Sequence, residues 1–301
     1  MTRIIVTGGA GRLGRSIIDD LTRSGAEVVS FDRALSDAPE LIDAEQRAID
    51  LTDADETMRA IEEAKADALV HLAAIAIPFS APEDVLLRTN AQIAMSVLGG
   101  AVTAGVKKIV AASSPTVLGY GAGWVPDHLP LDEQTPPLPA HAYALSKLLT
   151  EQMVQMLHRQ TGEETRFASF RPCYVIAPEE WQGAPTTLGH TVHERLDDPA
   201  LAAPALFNYV DARDAARFVS RLLDALGDVP NAQTFFVGAE DALARQPLAE
   251  LIPRFFPGTA DAASGLVGTT PAFSIEKAQR LLGWSPLHSW RKELQPLTAA
   301  K

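Results

Sequence analysis

Cysteine is almost missing from this chain: Cys173 is the only one in 301 residues. That excludes an intramolecular disulfide and any multi-cysteine metal site, and it points to a reducing, cytoplasmic setting. Positive charge is in deficit as well. Lys and Arg number 26 against 38 Asp and Glu, a formal charge of −12, and no basic run occurs. Such a surface repels phosphate backbones and anionic lipid, which argues against nucleic-acid and membrane partners. Long apolar runs are lacking: the most apolar stretch, 66–79, contains Asp67 and His71 and is shorter than the ~20 residues that span a bilayer. A charged leader with an apolar segment and cleavage site is also lacking before the first strand, so export by a signal peptide is not expected. What is present is ordinary globular composition, 47% hydrophobic and 21% charged, which excludes disorder. At roughly 150 residues per domain, the length allows one large α/β domain or two unequal ones.

Short apolar runs alternate with longer stretches of helical period, the pattern of repeated βα units on a parallel sheet. Strands are expected at 4–7, 27–32, 46–50, 68–72, 108–113 and 166–171. Six parallel strands fit an α/β, doubly wound parallel sheet of the Rossmann kind. Helices are expected to begin near Gly11, Ala54, Asp84 and Ala142, the last running to Thr161 before Gly162 stops it. Segment 119–141 is rich in Gly and Pro without sustained period, a long loop of the sort that covers a site. Beyond Arg171 the alternation breaks down, leaving a helix at 211–226, a strand at 234–237 and a short helix at 274–282 stopped by Gly283. The expected division is 1–170 for the Rossmann domain and 171–301 for a smaller C-terminal substrate lobe.

The first strand runs directly into Gly8, Gly9, Ala10, Gly11, Arg12, Leu13 and Gly14, and a helix follows. A pyrophosphate must approach the backbone N–H groups and the positive helix end closely, and side chains at Gly8 and Gly11 would block it. Gly14 lets the helix lie against the sheet. The second strand ends at Asp32, the spacing at which a carboxylate accepts hydrogen bonds from the adenosine ribose. A carboxylate there repels a 2′-phosphate, so NAD is the expected cofactor; Arg33 partly offsets that repulsion and keeps NADP as the alternative. Asp50 and Leu51, past the third strand, stand where an adenine would be met, although a surface Asp is the plainer reading.

Tyr143 and Lys147 are four apart and share one helix face. A free phenol has a pKa near 10, and a neighbouring ammonium would favour its ionised form. Tyr143 could then exchange a proton with a substrate oxygen while the carbon exchanges a hydride with nicotinamide. Ser113, Ser114 and Thr116 arrive at the carboxyl edge of the sheet, where ligands of doubly wound folds bind. Asn90, early in its helix, offers an amide to backbone or water behind Lys147. His190 and His193 read as loop residues rather than ligands, and no metal is expected. Cys173 reads as a small buried residue, Arg171 as the partner of a substrate carboxylate or of a structural acid, and Trp181 and His193 as candidates for the pocket wall.

Together, the segments 7–14, 50–53, 71–74, 113–117, 143–147 and 171–172, with Asp32 and Asn90, resemble the extended short-chain dehydrogenase/reductases, the NAD-dependent epimerase/dehydratase branch. Segments 209–214 and 281–286 resemble later landmarks of that family. The resemblance implies Tyr143 as acid/base, Lys147 as its partner and ribose ligand, and Ser114 as the ligand of the substrate oxygen. Asn90 completes that set. It implies Gly8, Gly11, Arg12, Leu13, Asp32, Asp50, Leu51, Ala73 and Ala74 as the lining of the NAD site, and a homodimer packed through 84–105 and 142–161. An intact Tyr143, Lys147 and Ser114 argues against a cofactor-sensing module without chemistry.

Three departures from the family pattern bear on the substrate. Pro115 and Thr116 stand where dehydratases of the family carry acidic residues. Tyr174 stands near the position of an Asn that helps epimerases hold a sugar-nucleotide diphosphate. The stretch from there to Tyr209 is short. These favour a small-molecule substrate, a sugar, sugar acid or polyol oxidised or reduced at a secondary alcohol, as in uronate dehydrogenases of the family. The alternative is an epimerase that retains its NAD.

Overall fold

The computed structural model describes residues 1–121 and 123–294. Its centre is a seven-stranded sheet built from β1 (Arg3–Thr7), β2 (Glu27–Asp32), β3 (Glu45–Ala48), β4 (Ala68–His71), β5 (Lys108–Ala112), β6 (Arg166–Pro172) and a late strand, Gln233–Val237. The order is β3-β2-β1-β4-β5-β6 followed by the late strand, and every pairing is parallel. Parallel strands buried on both faces need apolar residues at consecutive positions. Ile4 and Val6 of β1 face one layer, with Ile17 and Phe218, while Ile5 between them faces the other, with Val97 and Leu98.

Helix α1 (Arg12–Arg23) lies on the first face, and α2 (Ala54–Ala64), α3 (Glu83–Thr103) and α4 (Ala142–Thr161) belong to the other. The 21 residues of α3 are long and apolar enough to cross a bilayer, and here the helix packs against α2 and α4. The segment after β6 forms β7 (Tyr174–Ile176), a single turn α5 (Pro178–Trp181) and the short α6 (Val192–Asp197). β8 (Tyr209–Asp211) then pairs with β7, and α7 (Ala212–Ala225) leads to β9, the late strand at Gln233–Val237.

Two elements differ from expectation in place. The sequence puts the helix after Asp211 and the strand near Thr234 in the smaller lobe, but α7 packs on α1 and β9 pairs with β6. A strand's own pattern does not name its neighbour; the register Ser169 to Thr234 and Phe170 to Phe235 does. The sheet therefore has seven strands, not six. β3 also ends two residues early, at Ala48, which leaves Ile49 and Asp50 outside it. Loop 119–141 is tied to the C-terminal part where Leu131 N–H donates to the Ala272 carbonyl and Ser274 N–H donates to the Leu131 carbonyl.

Candidate active site

The glycine turn links β1 to α1, and its three expected glycines divide their work. Gly8 has φ +74°, and a Cβ there would come within 2.9 Å of the Ala73 backbone nitrogen. It is needed for the close approach of the β4 loop rather than for open space. Gly14 is the packing glycine: an added Cβ would run into the Gly8 carbonyl and the Gly9 backbone. Gly11 is the open one, since a Cβ would touch only the Gly8 carbonyl, at 3.3 Å. It also caps α1 without any side-chain acceptor for the first-turn amides, so the helix end presents free N–H groups over a clear cradle. That fits a pyrophosphate. Gly9 is equally constrained, by the side chains of Ser30 and Ile18, and was not assigned a role from sequence.

Asp32 lies against this turn. One carboxylate oxygen accepts from Ala10 N–H at 3.1 Å and the other from Arg33 N–H at 2.7 Å. Ala73 N–H donates to the Thr7 hydroxyl at 3.3 Å, which fixes the β4 loop beside Gly8, with Ala74 next in the chain. Other expected cofactor contacts land differently. Asp50 accepts from both the amide and the hydroxyl of Thr52, at 3.0 and 2.7 Å, closing a local turn that holds its carboxyl below the usual range. Leu51 is buried in the core with Phe31 and Ile61, because the early end of β3 turns it inward. The Arg12 side chain reaches away from the cradle. Its Nε pairs with Glu180 at 2.5 Å, and Nη1 donates to the Thr187 hydroxyl at 2.7 Å. Leu13 packs against the core.

Tyr143 and Lys147 sit in the first two turns of α4, both buried. His141 starts that helix by accepting from the Ala144 amide at 3.3 Å through Nδ1. Lys147 Nζ donates to the Ala112 carbonyl at 3.0 Å and lies 6.0 Å from the Tyr143 ring centroid. The expected acidified phenol is not what this arrangement makes. Burial pushes Tyr143 up to about 12, and the hydrogen bond with Ser114 offsets only part of that. The same burial pulls Lys147 down to about 8. Beneath them His71, buried and joined through Nδ1 to the Thr7 hydroxyl at 2.8 Å, is pushed down to about 3 by burial and by the Lys147 charge. The site thus holds a neutral phenol, a weakly held ammonium proton and a neutral imidazole.

Ser114 is partnered by Thr116, whose hydroxyl lies 2.9 Å from its own. Ser113, read from sequence as a substrate contact, points into the protein instead and donates to Glu151 at 2.5 Å. Glu151 in turn accepts two bonds from Arg171, at 2.8 and 2.9 Å, all of it buried. Arg171 is therefore committed to structure, one of the two readings given above. Asn90 accepts from Ile75 N–H at 2.7 Å and donates to the Ser146 hydroxyl at 3.1 Å. It binds backbone, one of the partners expected for it, and ties the β4 loop to α4. Trp181 donates to Asp211 at 2.7 Å, and His193 lies on α6 rather than in a loop.

One feature escaped the sequence altogether. Arg195 of α6 is only 1% exposed, and its guanidinium lies 4.1 Å from the Tyr174 ring centroid. Among the described residues, its Nε and Nη1 have no hydrogen-bond partner, and neither has the buried Tyr174 hydroxyl. A solvated surface Arg and a buried one look alike in sequence. The Tyr174 ring packs with Trp181 and Tyr209, in a cluster separate from the one that holds Cys173.

Comparison with known proteins agrees with this layout. Residues 4–238 match the model of the NAD dependent epimerase/dehydratase family. A UDP-glucose 4-epimerase of Azospirillum brasilense is 33% identical over 157 residues, 51% of this chain and 44% of the relative. The chain thus spans about half the length of the first curated relatives it matches. A uronate dehydrogenase of Agrobacterium fabrum is 28% identical over 241 residues, 78% of this chain and 87% of the relative. Among solved structures, a short-chain dehydrogenase/reductase superfamily protein from Agrobacterium tumefaciens with bound NAD superposes with a TM-score of 0.73 at 24% identity, covering 97% of this chain and 94% of that one. With the glycine turn, Asp32 and the Tyr143–Lys147 helix in their places over most of the matched length, the chain belongs to the NAD dependent epimerase/dehydratase family.

Proposed function

We propose that this protein is an NAD-dependent dehydrogenase of a small sugar acid, acting at a secondary alcohol. NAD, when bound, supplies the hydride acceptor. The Gly11 cradle and the first amides of α1 would hold its pyrophosphate, and Asp32 its adenosine ribose, where the carboxylate disfavours a 2′-phosphate. Ser114 holds the substrate oxygen beside Tyr143. The Tyr143 oxygen takes the alcohol proton as the C–H hydride departs, leaving a carbonyl. Lys147 supports the ionised phenol through its charge and offers N–H donors to a ribose hydroxyl. Because burial favours the neutral phenol, oxidation speeds up with rising pH as Tyr143 loses its proton more readily.

The observation that carries the substrate class is Arg195, with Tyr174. The Arg195 charge is met electrostatically by the buried Glu180 carboxylate, but its Nε and Nη1 have no hydrogen-bond partner among the described residues, and unmet N–H groups of a buried charge are costly. A substrate carboxylate matches its fork, and the adjacent Tyr174 hydroxyl adds a donor. The short connection from β7 to β8 leaves less protein to read a nucleotide. The epimerase reading has its own support in the UDP-glucose 4-epimerases among the relatives. The two separate cleanly in one assay. Purified protein with NAD is offered D-galacturonate, D-glucuronate, neutral aldoses and UDP-glucose while NADH absorbance is followed. NADH formation confined to the uronates is expected; interconversion of UDP-sugars with no net NADH would overturn the proposal. We also propose a homodimer through α3 and α4, on which Met95 and Leu145 are exposed.

A further inference from the structure

Phe79 is in an expensive position. The turn Ile77–Ser80, closed by Ser80 N–H donating to the Ile77 carbonyl, has Pro78 second and Phe79 third with φ +62°. That is the slot of a type II turn where glycine belongs, and a bulky side chain there is strained. The ring gains little burial in return, because Phe79 remains 70% exposed. A residue that is strained and apolar yet left in water is a poor contributor to stability, and such residues concentrate at functional sites.

Its neighbours say which function. The Phe79 ring lies 5.1 Å from the His141 ring, and His141 in turn lies nearly parallel to the Tyr143 ring, 6.2 Å away at 14°. The His141 ring is held in place by its cap to the Ala144 amide, and burial, partly opposed by Glu83, holds its pKa below that of a free imidazole. Tyr143 also packs in a small apolar cluster with Leu86 and Ala142, against which Ile75 and Leu87 lie. A fixed, uncharged aromatic surface therefore runs from the acid/base tyrosine outward to solvent.

We propose that Phe79 and His141 form an aromatic ledge that receives the C–H face of a pyranose ring and sets it beside Tyr143, making them specificity-determining residues. This rests on the sugar-acid reading above for its substrate but reads the ring rather than its carboxylate. Aromatic faces complement the apolar face of a pyranose, while hydroxyls at its edge stay free for Ser114 and Arg195.

The test uses the full chain with NAD and three variants, Phe79→Leu, Phe79→Gly and His141→Asn, the last retaining an acceptor for the Ala144 amide. KM for the sugar that the wild type turns over should rise about fivefold in each, with kcat little changed. NADH affinity should stay the same, and the melting temperature of Phe79→Gly should be no lower than wild type because the turn strain is relieved. Saturation-transfer NMR on the NADH complex adds a readout without turnover: D-galacturonate and methyl β-galactoside should both show ring-proton contacts that Phe79→Leu weakens. Failure of the wild type to oxidise uronates while methyl β-galactoside still contacts the ledge would overturn the sugar-acid reading alone. Unchanged KM and unchanged NMR contacts in the variants, or no contact of either sugar with the wild type, would overturn the ledge.

Discussion

Among the described residues two arginines are buried, and they are hydrogen-bonded to different degrees. Arg171 of β6 gives two nitrogens to Glu151 of α4, which also accepts from Ser113, and only its Nη1 lacks a partner among the described residues. Arg195 of α6 is as buried but stacks on Tyr174 with two nitrogens unpartnered among the described residues. The difference separates a framework from a site. The first arginine locks the catalytic helix to the sheet, one turn beyond Lys147. The second feels the Glu180 carboxylate, but its Nε and Nη1 are left without hydrogen-bond partners among the described residues.

The framework exists to hold Tyr143, so the largest expected effect lies there. Tyr143→Phe should lower turnover by about 10²- to 10⁴-fold while NADH titration by fluorescence gives a normal affinity. Unchanged turnover would remove Tyr143 from the mechanism. Next, Glu151→Ala should cost about 3–5 kcal/mol in urea unfolding, because it strands the Arg171 charge. Arg195→Met should behave in the opposite way, with stability equal or higher by about 1–4 kcal/mol but a KM for uronates raised by at least tenfold. Equal destabilisation by the two changes would dissolve the contrast between them.

A smaller effect distinguishes the histidine under the site. His71 titrates at about 3 in the fold against 6.5 when free. The unfolded chain therefore takes up a proton that the fold refuses, and stability falls as pH drops from 6.5 toward 3. In His71→Asn the urea midpoint should lose that share of its acid sensitivity. An identical pH profile in variant and wild type would show that His71 is solvated in the folded state.

Much of this was readable in the chain. The βα alternation, the glycine turn ending β1, Asp32 at the end of β2, and the pairing of Tyr143 with Lys147 on one helix depend on local period and spacing. Gly14 as the packing glycine was legible for the same reason. Gly8 was not: its φ and its contact with Ala73 arise from the neighbouring β4 loop. Ser113 and Ser114 are adjacent and chemically identical, yet strand alternation sends one inward to Glu151 and leaves the other near Tyr143. Asp50 closes a turn with its own Thr52 through one carboxylate oxygen, a local contact that spacing to a distant adenine does not anticipate.

What the sequence determined by itself is the fold class, the cofactor turn and the placing of Tyr143 and Lys147 on one helix face, since each is written in residues close together along the chain. The near-absence of cysteine and the acidic balance narrowed the classes of chemistry in the same way. Only the tertiary structure decided that the seventh strand joins β6, that burial raises the Tyr143 phenol instead of lowering it, and that Arg171 gives two nitrogens to one carboxylate while Nε and Nη1 of Arg195 lack partners among the described residues. Those are properties of what surrounds a residue after distant segments have packed, and charge, dielectric and hydrogen-bond partners are set by that packing.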